Sequence, residues 1–125
     1  MGMKRCMIVD DSSVIRKVAK RILSGPQLFV IEASNGSEAL DMCAADMPDI
    51  IVVDGTLPDM ATDDFIRSVG AIPNPIKPQI AICLTEFDIG TIMRAKRAGA
   101  AGYILKPFNR AQLLERFRHM SSAAA

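Results

Sequence analysis

The chain alternates short, almost wholly apolar runs with longer segments whose apolar residues recur at three- and four-residue steps. The runs are Cys6-Met7-Ile8-Val9, Phe29-Val30-Ile31, Ile50-Ile51-Val52-Val53, Ile80-Ala81-Ile82-Cys83-Leu84 and Tyr103-Ile104-Leu105. Such runs leave no polar face, so they read as strands covered on both sides, the habit of a parallel sheet flanked by helices. The second run leads into Glu32 and Ser34 and belongs nearer an edge.

Helical periods fill the gaps. Val14, Ile15, Val18, Ile22 and Leu23 follow a Ser12-Ser13 start and stop at Gly25-Pro26. A second helix spans 37–47 and is closed by Pro48. The third starts at Thr62, carries Asp63 and Asp64 in its first turn and ends at Gly70. Ile89 to Ala98 stops at Gly99, and Asn109-Arg110-Ala111-Gln112 forms a capping box that opens the last helix. Residues 121–125 are expected to fray as a tail, which leaves one domain at 4–120. Five strands alternating with five helices give an α/β layer sandwich. Right-handed crossovers then bring the carboxyl ends of all the strands to one edge, where such sheets bind their ligands.

At 125 residues the expectation is a single domain with a core of its own and no attached output module. Fifteen Lys and Arg against fourteen Asp and Glu do not make the basic surface that grips nucleic acid, so the expected partners are proteins. Cys6, Cys43 and Cys83 are an odd count set in apolar segments and read as reduced core thiols of a cytoplasmic protein. The apolar stretch after Lys4-Arg5 ends at Asp10-Asp11, too short for a signal peptide or a membrane span.

The residues that end the apolar runs carry the chemistry. Asp10 and Asp11 follow the first run, Asp54 the third, Thr85 the fourth and Lys106 the fifth. Singly, each is an ordinary turn or cap residue; jointly they place three carboxylates, a hydroxyl and an ammonium on one rim. Carboxylates so close repel one another, and a hard divalent cation, Mg²⁺, suits an all-oxygen donor set. Mg²⁺ with Lys106 and Thr85 suits phosphoryl transfer, with a carboxylate as acceptor. Asp54 stands alone at the end of a central strand and is the expected nucleophile, whereas the adjacent pair Asp10 and Asp11 suits the metal. The Thr56 backbone carbonyl offers a further, neutral ligand.

These motifs, Val9-Asp10-Asp11-Ser12-Ser13, Asp54 with Pro58 four places on, Thr85, and Lys106-Pro107-Phe108, resemble those of the receiver domain of two-component response regulators. The resemblance covers Lys4 to Met120. It implies a flavodoxin-like (βα)5 three-layer sandwich with a parallel sheet in the order 2-1-3-4-5. It also implies a monomer that accepts a phosphoryl group on Asp54 from a histidine kinase or histidine phosphotransfer protein. The protein would then change its binding to a downstream protein. On the same resemblance the Lys106-Pro107 bond is cis, and Thr85 and Tyr103 move together as a switch; Tyr103 is equally placed to pack as a plain strand residue.

Glu86 departs from the small residue the family usually has beside Thr85. Two unit charges about 6 Å apart at an effective dielectric of about 20 repel by roughly 3 kcal/mol. An inward Glu86 would therefore modulate the lifetime of the phosphoryl group; an outward one would be screened, and a third arrangement pairs it with Lys106 at rest. Asp59-Met60-Ala61-Thr62 replaces the usual Met-Asp-Gly and puts the geometry of that loop in question. Phe87 either covers the crevice or anchors its loop. Arg16, Lys17, Lys20 and Arg21 read as a solvated face of the first helix, or as a docking surface for the donor together with Ile15 and Phe108. Arg94, Lys96, Arg97, Arg110, Arg116 and Arg118 are placed to frame an output face with Tyr103. Two other classes remain open: a receiver-like binding module that signals without phosphorylation, and an α/β flavin or phosphate-handling enzyme. The second lacks both G-x-x-x-x-G-K and G-x-G-x-x-G after a strand.

Overall fold

The computed structural model describes residues 3–124, with side chains described through residue 118. Ala125, part of the expected tail, lies outside the described residues, as do the side chains from His119 on. The elements run β1 (Lys4–Val9), α1 (Ser13–Leu23), β2 (Leu28–Ala33), α2 (Gly36–Ala45), β3 (Ile50–Asp54), α3 (Thr62–Ala71), β4 (Gln79–Leu84), α4 (Ile89–Ala98), β5 (Gly102–Leu105) and α5 (Arg110–Ala124). All pairings are parallel, in the order β2-β1-β3-β4-β5.

Strand alternation builds two cores. Met7, Val9, Ile51, Val53, Ile80 and Ile82 face α2, α3 and α4 through Ala39, Cys43, Phe65, Ile66, Val69 and Ile92. Cys6, Ile8, Val30, Val52, Ala81 and Ile104 face α1 and α5 through Ala19, Leu23, Leu113 and Phe117. Fully burying a side chain such as Phe65 or Ile51 stabilises the fold by roughly 1.5–3 kcal/mol. The first crossover runs from β1 to one side and the next returns past β1 to β3, so right-handedness puts α1 and α2 on opposite faces. The sheet thus reverses direction between β1 and β3, and the crevice opens there.

Local signals set the helix ends. Ser12 caps α1 by accepting from the Ile15 N–H. Asn35 and Asn109 head reciprocal or near-reciprocal caps: Asn35 accepts from Glu38 N–H while Glu38 accepts from Ser34 N–H, and Asn109 and Gln112 bond each other in the expected capping box. Gly99, at φ 126°, ends α4 in a backbone region that favours glycine. The end of α2 differs from expectation. Helix α2 ends at Ala45, ahead of 47, because the residue before Pro48 is pushed out of the helical region. Helix α5 runs from Arg110 to Ala124, and its Ser-Ser-Ala-Ala end contains no breaker.

The apolar stripe of α1 is split. Ala19 and Leu23 are buried, whereas Val14 and Val18 are 68% and 50% exposed. The three cysteines are buried and free; burial pushes the thiols of Cys6 and Cys83 up to about 12 and that of Cys43 to about 11, which leaves them protonated core residues. No helix among the described residues is long and apolar enough to cross a membrane.

Candidate functional site

Asp10 follows β1 directly and is 4% exposed, the one buried charged residue among those described. Its Oδ1 accepts from the Ser12 N–H (2.9 Å) and its Oδ2 from Lys106 Nζ (3.1 Å). Its backbone carbonyl accepts from Arg16 Nη1 at 2.7 Å, and Arg16 Nε bonds Glu32 at 3.2 Å. Lys20 stands 3.9 Å from the same Glu32. The basic run of α1 is therefore not one solvated face, because Arg16 and Lys20 lean onto Glu32 of β2 and Arg16 also supports the Asp10 backbone.

Asp54 ends β3, half-buried. Its Oδ1 accepts from the Thr56 N–H at 3.3 Å and lies 3.6 Å from Lys106 Nζ. Burial raises its pKa, the Lys106 charge opposes that and the Asp10 charge reinforces it; the result lies above the usual carboxylate value. For Lys106, burial acts to lower the pKa, but the hydrogen bond to Asp10 and the charges of Asp54 and Asp10 outweigh it and hold the ammonium above its usual value. The strand that delivers Lys106 is fixed by the Lys106 N–H donating to the Leu84 carbonyl at 2.7 Å, and the Lys106-Pro107 peptide is cis, as the resemblance implies.

Carboxylate oxygens of Asp10, Asp11 and Asp54 all lie within 4.8 Å of one another. Three carboxylates facing one ammonium leave surplus negative charge, and the donors are all hard oxygens, so the residues fit Mg²⁺. Asp11 is exposed and open to water.

Thr56 and Thr85 are both exposed on the rim and share with Glu86, Phe87 and Asp88 a groove of about 570 Å³. Glu86 is exposed, and Lys106 pairs with Asp10 and Asp54. The inward and Lys106-paired arrangements of Glu86 are thereby set aside for the outward one. Tyr103 stands away from the carboxylates. Its half-buried ring packs beside the core under α4, meets the Phe87 ring edge-on (5.7 Å, 72°) and carries the Arg116 guanidinium 4.1 Å above it. Phe87 lines that groove and leans on Tyr103, a contact that anchors its loop.

Sequence reasoning missed two supports. Thr62, read as the start of α3, is its first residue; the cap position is Ala61, which makes no side-chain cap bond. The Thr62 hydroxyl instead donates to the Asp54 carbonyl at 3.0 Å, tying the strand end to α3. Asp59, in the loop whose departure was noted, accepts from the N–H groups of Gly36 and Ser37, both at 2.9 Å, and locks that loop to the start of α2. A Cβ on Gly36 would lie 2.6 Å from Met60 Sδ, so a larger residue there would make the Met60 side chain move.

A second groove, about 330 Å³ and mostly apolar, runs from the rim along α1. It is lined by Val14, Ile15, Val18, Ile22, Pro107 and Phe108, with Thr85 and Lys106 at its inner end.

Reversal of strand order at an acidic carboxyl edge defines a doubly wound, flavodoxin-like protein with a carboxylate group suited to a cation. The chain belongs to the response regulator receiver domains, whose family model matches residues 6–118. It is 33% identical over 120 residues to the chemotaxis protein CheY of Thermotoga maritima, spanning 94% of this chain and 98% of that protein. To CheY of Bacillus subtilis it is 30% identical, covering 89% and 92%. The chemotaxis response regulator CheY4 of Vibrio cholerae superposes with a TM-score of 0.85 at 29% identity, covering 94% and 98%. Other relatives are longer: the chain spans 29% of a protein-glutamate methylesterase/protein-glutamine glutaminase of Nocardioides and 49% of the response regulator MprA of Mycobacterium avium. Receiver domains are signalling proteins of two-component systems; a phosphorylatable Asp and Mg²⁺ binding are typical of the family.

Proposed function

We propose that Asp54 accepts a phosphoryl group from a phosphohistidine on a histidine kinase or phosphotransfer protein, and that the modified protein changes its affinity for a downstream protein. One observation carries this: a half-buried carboxylate at the end of the central strand, 3.6 Å from Lys106 and grouped with Asp10 and Asp11. An Asp54 oxygen forms the new bond to phosphorus as the phosphorus–nitrogen bond to imidazole breaks; the imidazole keeps that electron pair and takes up a proton.

Asp10, Asp11 and Asp54, with the Thr56 carbonyl, are the residues that would hold Mg²⁺. The ion supplies charge neutralisation for the phosphoryl oxygens. Lys106 supplies the second positive charge on the other side, held in place by Asp10. Burial raises the pKa of Asp54, and the Lys106 charge beside it opposes that shift and favours the carboxylate form that attacks phosphorus. Thr85, at the end of β4, donates its hydroxyl to the new phosphoryl group, and Tyr103 answers that shift. The product is a signalling state, not a released compound; hydrolysis of the acyl phosphate resets it.

The apolar groove along α1 opens beside Lys106 and receives the donor, and the cations of α4 and α5 around Tyr103 frame the output face. The protein works in this reading as a cytoplasmic monomer that contacts proteins, not nucleic acid. Transfer is tested by incubation with a phosphorylated phosphohistidine protein and Mg²⁺. The expected result is loss of label from the donor and gain on this chain, absent in Asp54→Asn; label retained by the donor under all metal conditions argues for a module that signals without phosphorylation.

A further inference from the structure

Tyr103 makes two ring contacts that the phosphoacceptor chemistry does not require. Phe87, from the loop after β4, meets it in a T-shaped pair at 5.7 Å. Arg116 from α5 places its guanidinium 4.1 Å above the ring. Arg116 is doubly committed, because its Nε also donates to the Tyr103 backbone carbonyl at 2.9 Å. A hydrogen bond to the strand fixes where the guanidinium sits, and the fixed guanidinium then defines where the ring lies most favourably.

We propose that Arg116 is a positioning residue that latches Tyr103 in its resting orientation and joins the ring to α5. Its neighbours in the helix, Leu113 and Phe117, are 1% and 6% exposed and anchor α5 on the sheet, so the base of the latch is rigid. Phe87 is 58% exposed and stands two residues after Thr85, so of the two contacts it is the one that gives. A shift of the loop at Thr85 moves Phe87 first and loosens the ring. Displacing the ring then breaks the cation stack and uncovers the face of a guanidinium that its bond to the strand still holds in place, so that charge becomes open to solvent on the α5 face. The link from Thr85 to this consequence rests on the function proposed above; the latch itself is a property of the resting protein.

The chain has one tyrosine and no tryptophan, so its near-ultraviolet emission reports Tyr103 alone. The test is acrylamide quenching of that emission in the unphosphorylated full chain, for wild type, Arg116→Met, Arg116→Gln, Arg116→Lys and Phe87→Leu, each checked for folding by circular dichroism. Acrylamide is neutral, so loss of the Arg116 charge does not itself alter its approach. Arg116→Met and Arg116→Gln are expected to raise the quenching constant roughly two- to five-fold, and Arg116→Lys, which keeps a cation, to recover part of the protection. Phe87→Leu is expected to raise it less than Arg116→Met does. Folded Arg116→Met with wild-type quenching overturns the proposal, as does Arg116→Lys quenching as fully as Arg116→Met. Because no phosphoryl group is involved, failure of Asp54 to accept one would count against the proposed function and leave this result standing.

Discussion

Lys106 and Asp10, 96 residues apart in the chain, meet at 3.1 Å in an ion pair whose side chains are only 16% and 5% exposed. The pair joins the ends of β5 and β1 across the β3 end that carries Asp54. Removing one member of so enclosed a pair leaves the other charge without compensation, which costs more than the pair itself contributes.

Lys106→Met is therefore expected to destabilise the metal-free protein by about 1–3 kcal/mol, the partial exposure of Lys106 keeping the loss below that of a fully buried pair. The same substitution leaves three carboxylates unopposed. Added Mg²⁺ should raise the melting temperature of Lys106→Met by more than that of wild type. Calorimetry with EDTA and with Mg²⁺ checks both; equal metal stabilisation in the two proteins would show that Lys106 does not share the metal's electrostatic field.

Asp54 gives a pH signature of known sign. Its folded pKa stands above the ordinary 3.8, so the folded state binds the proton more tightly than the unfolded one. Without metal, stability contributed by the protonated group is present below 3.8 and is lost as pH rises through the folded pKa. Asp54→Asn removes that loss. In EDTA at pH 7 the variant is expected to melt above wild type, with the difference shrinking to nothing as pH falls below 3.8. A wild type more stable than Asp54→Asn at pH 7 in EDTA would reverse the assigned electrostatics.

Thr62 is expected to matter through one bond. Thr62→Val, which removes the 3.0 Å hydrogen bond to the Asp54 carbonyl, should cost about 1 kcal/mol in urea unfolding and slow phosphorylation; Thr62→Ser should restore both. A Thr62→Val protein phosphorylated at the wild-type rate would confine Thr62 to stability.

Glu86 is expected to be silent. An exposed carboxylate with its charge screened by solvent and salt should alter the phosphoryl lifetime by less than about twofold in Glu86→Gln at ~0.15 M salt. A larger change would bring back the inward arrangement that its position beside Thr85 suggests in sequence.

The sheet and its rim were legible because burial on both faces writes itself as unbroken apolar runs, and the polar residue ending each run then marks the edge. Ile50-Ile51-Val52-Val53-Asp54 is read as a strand with its functional residue in one glance. What stayed hidden depends on elements far apart in sequence. The outward face of α1 at Val14 and Val18 has the same residue types as an inward one, and only packing distinguishes them. Asp59 bonds Gly36 and Ser37 across 22 to 23 residues, and no local pattern announces it. The Arg116 stack on Tyr103 joins α5 to β5 by a contact that neither period nor cap encodes.

The central claim is that Asp54 is a Mg²⁺-dependent phosphoacceptor. Intact-mass measurement after incubation with acetyl phosphate tests it most directly, on wild type with Mg²⁺, wild type with EDTA, and Asp54→Ala with Mg²⁺. The account predicts a gain of one phosphoryl group in the first sample alone, on the peptide that contains Asp54. A gain that persists in Asp54→Ala or in EDTA, or a wild type unmodified by acetyl phosphate and by a phosphohistidine protein alike, would contradict it.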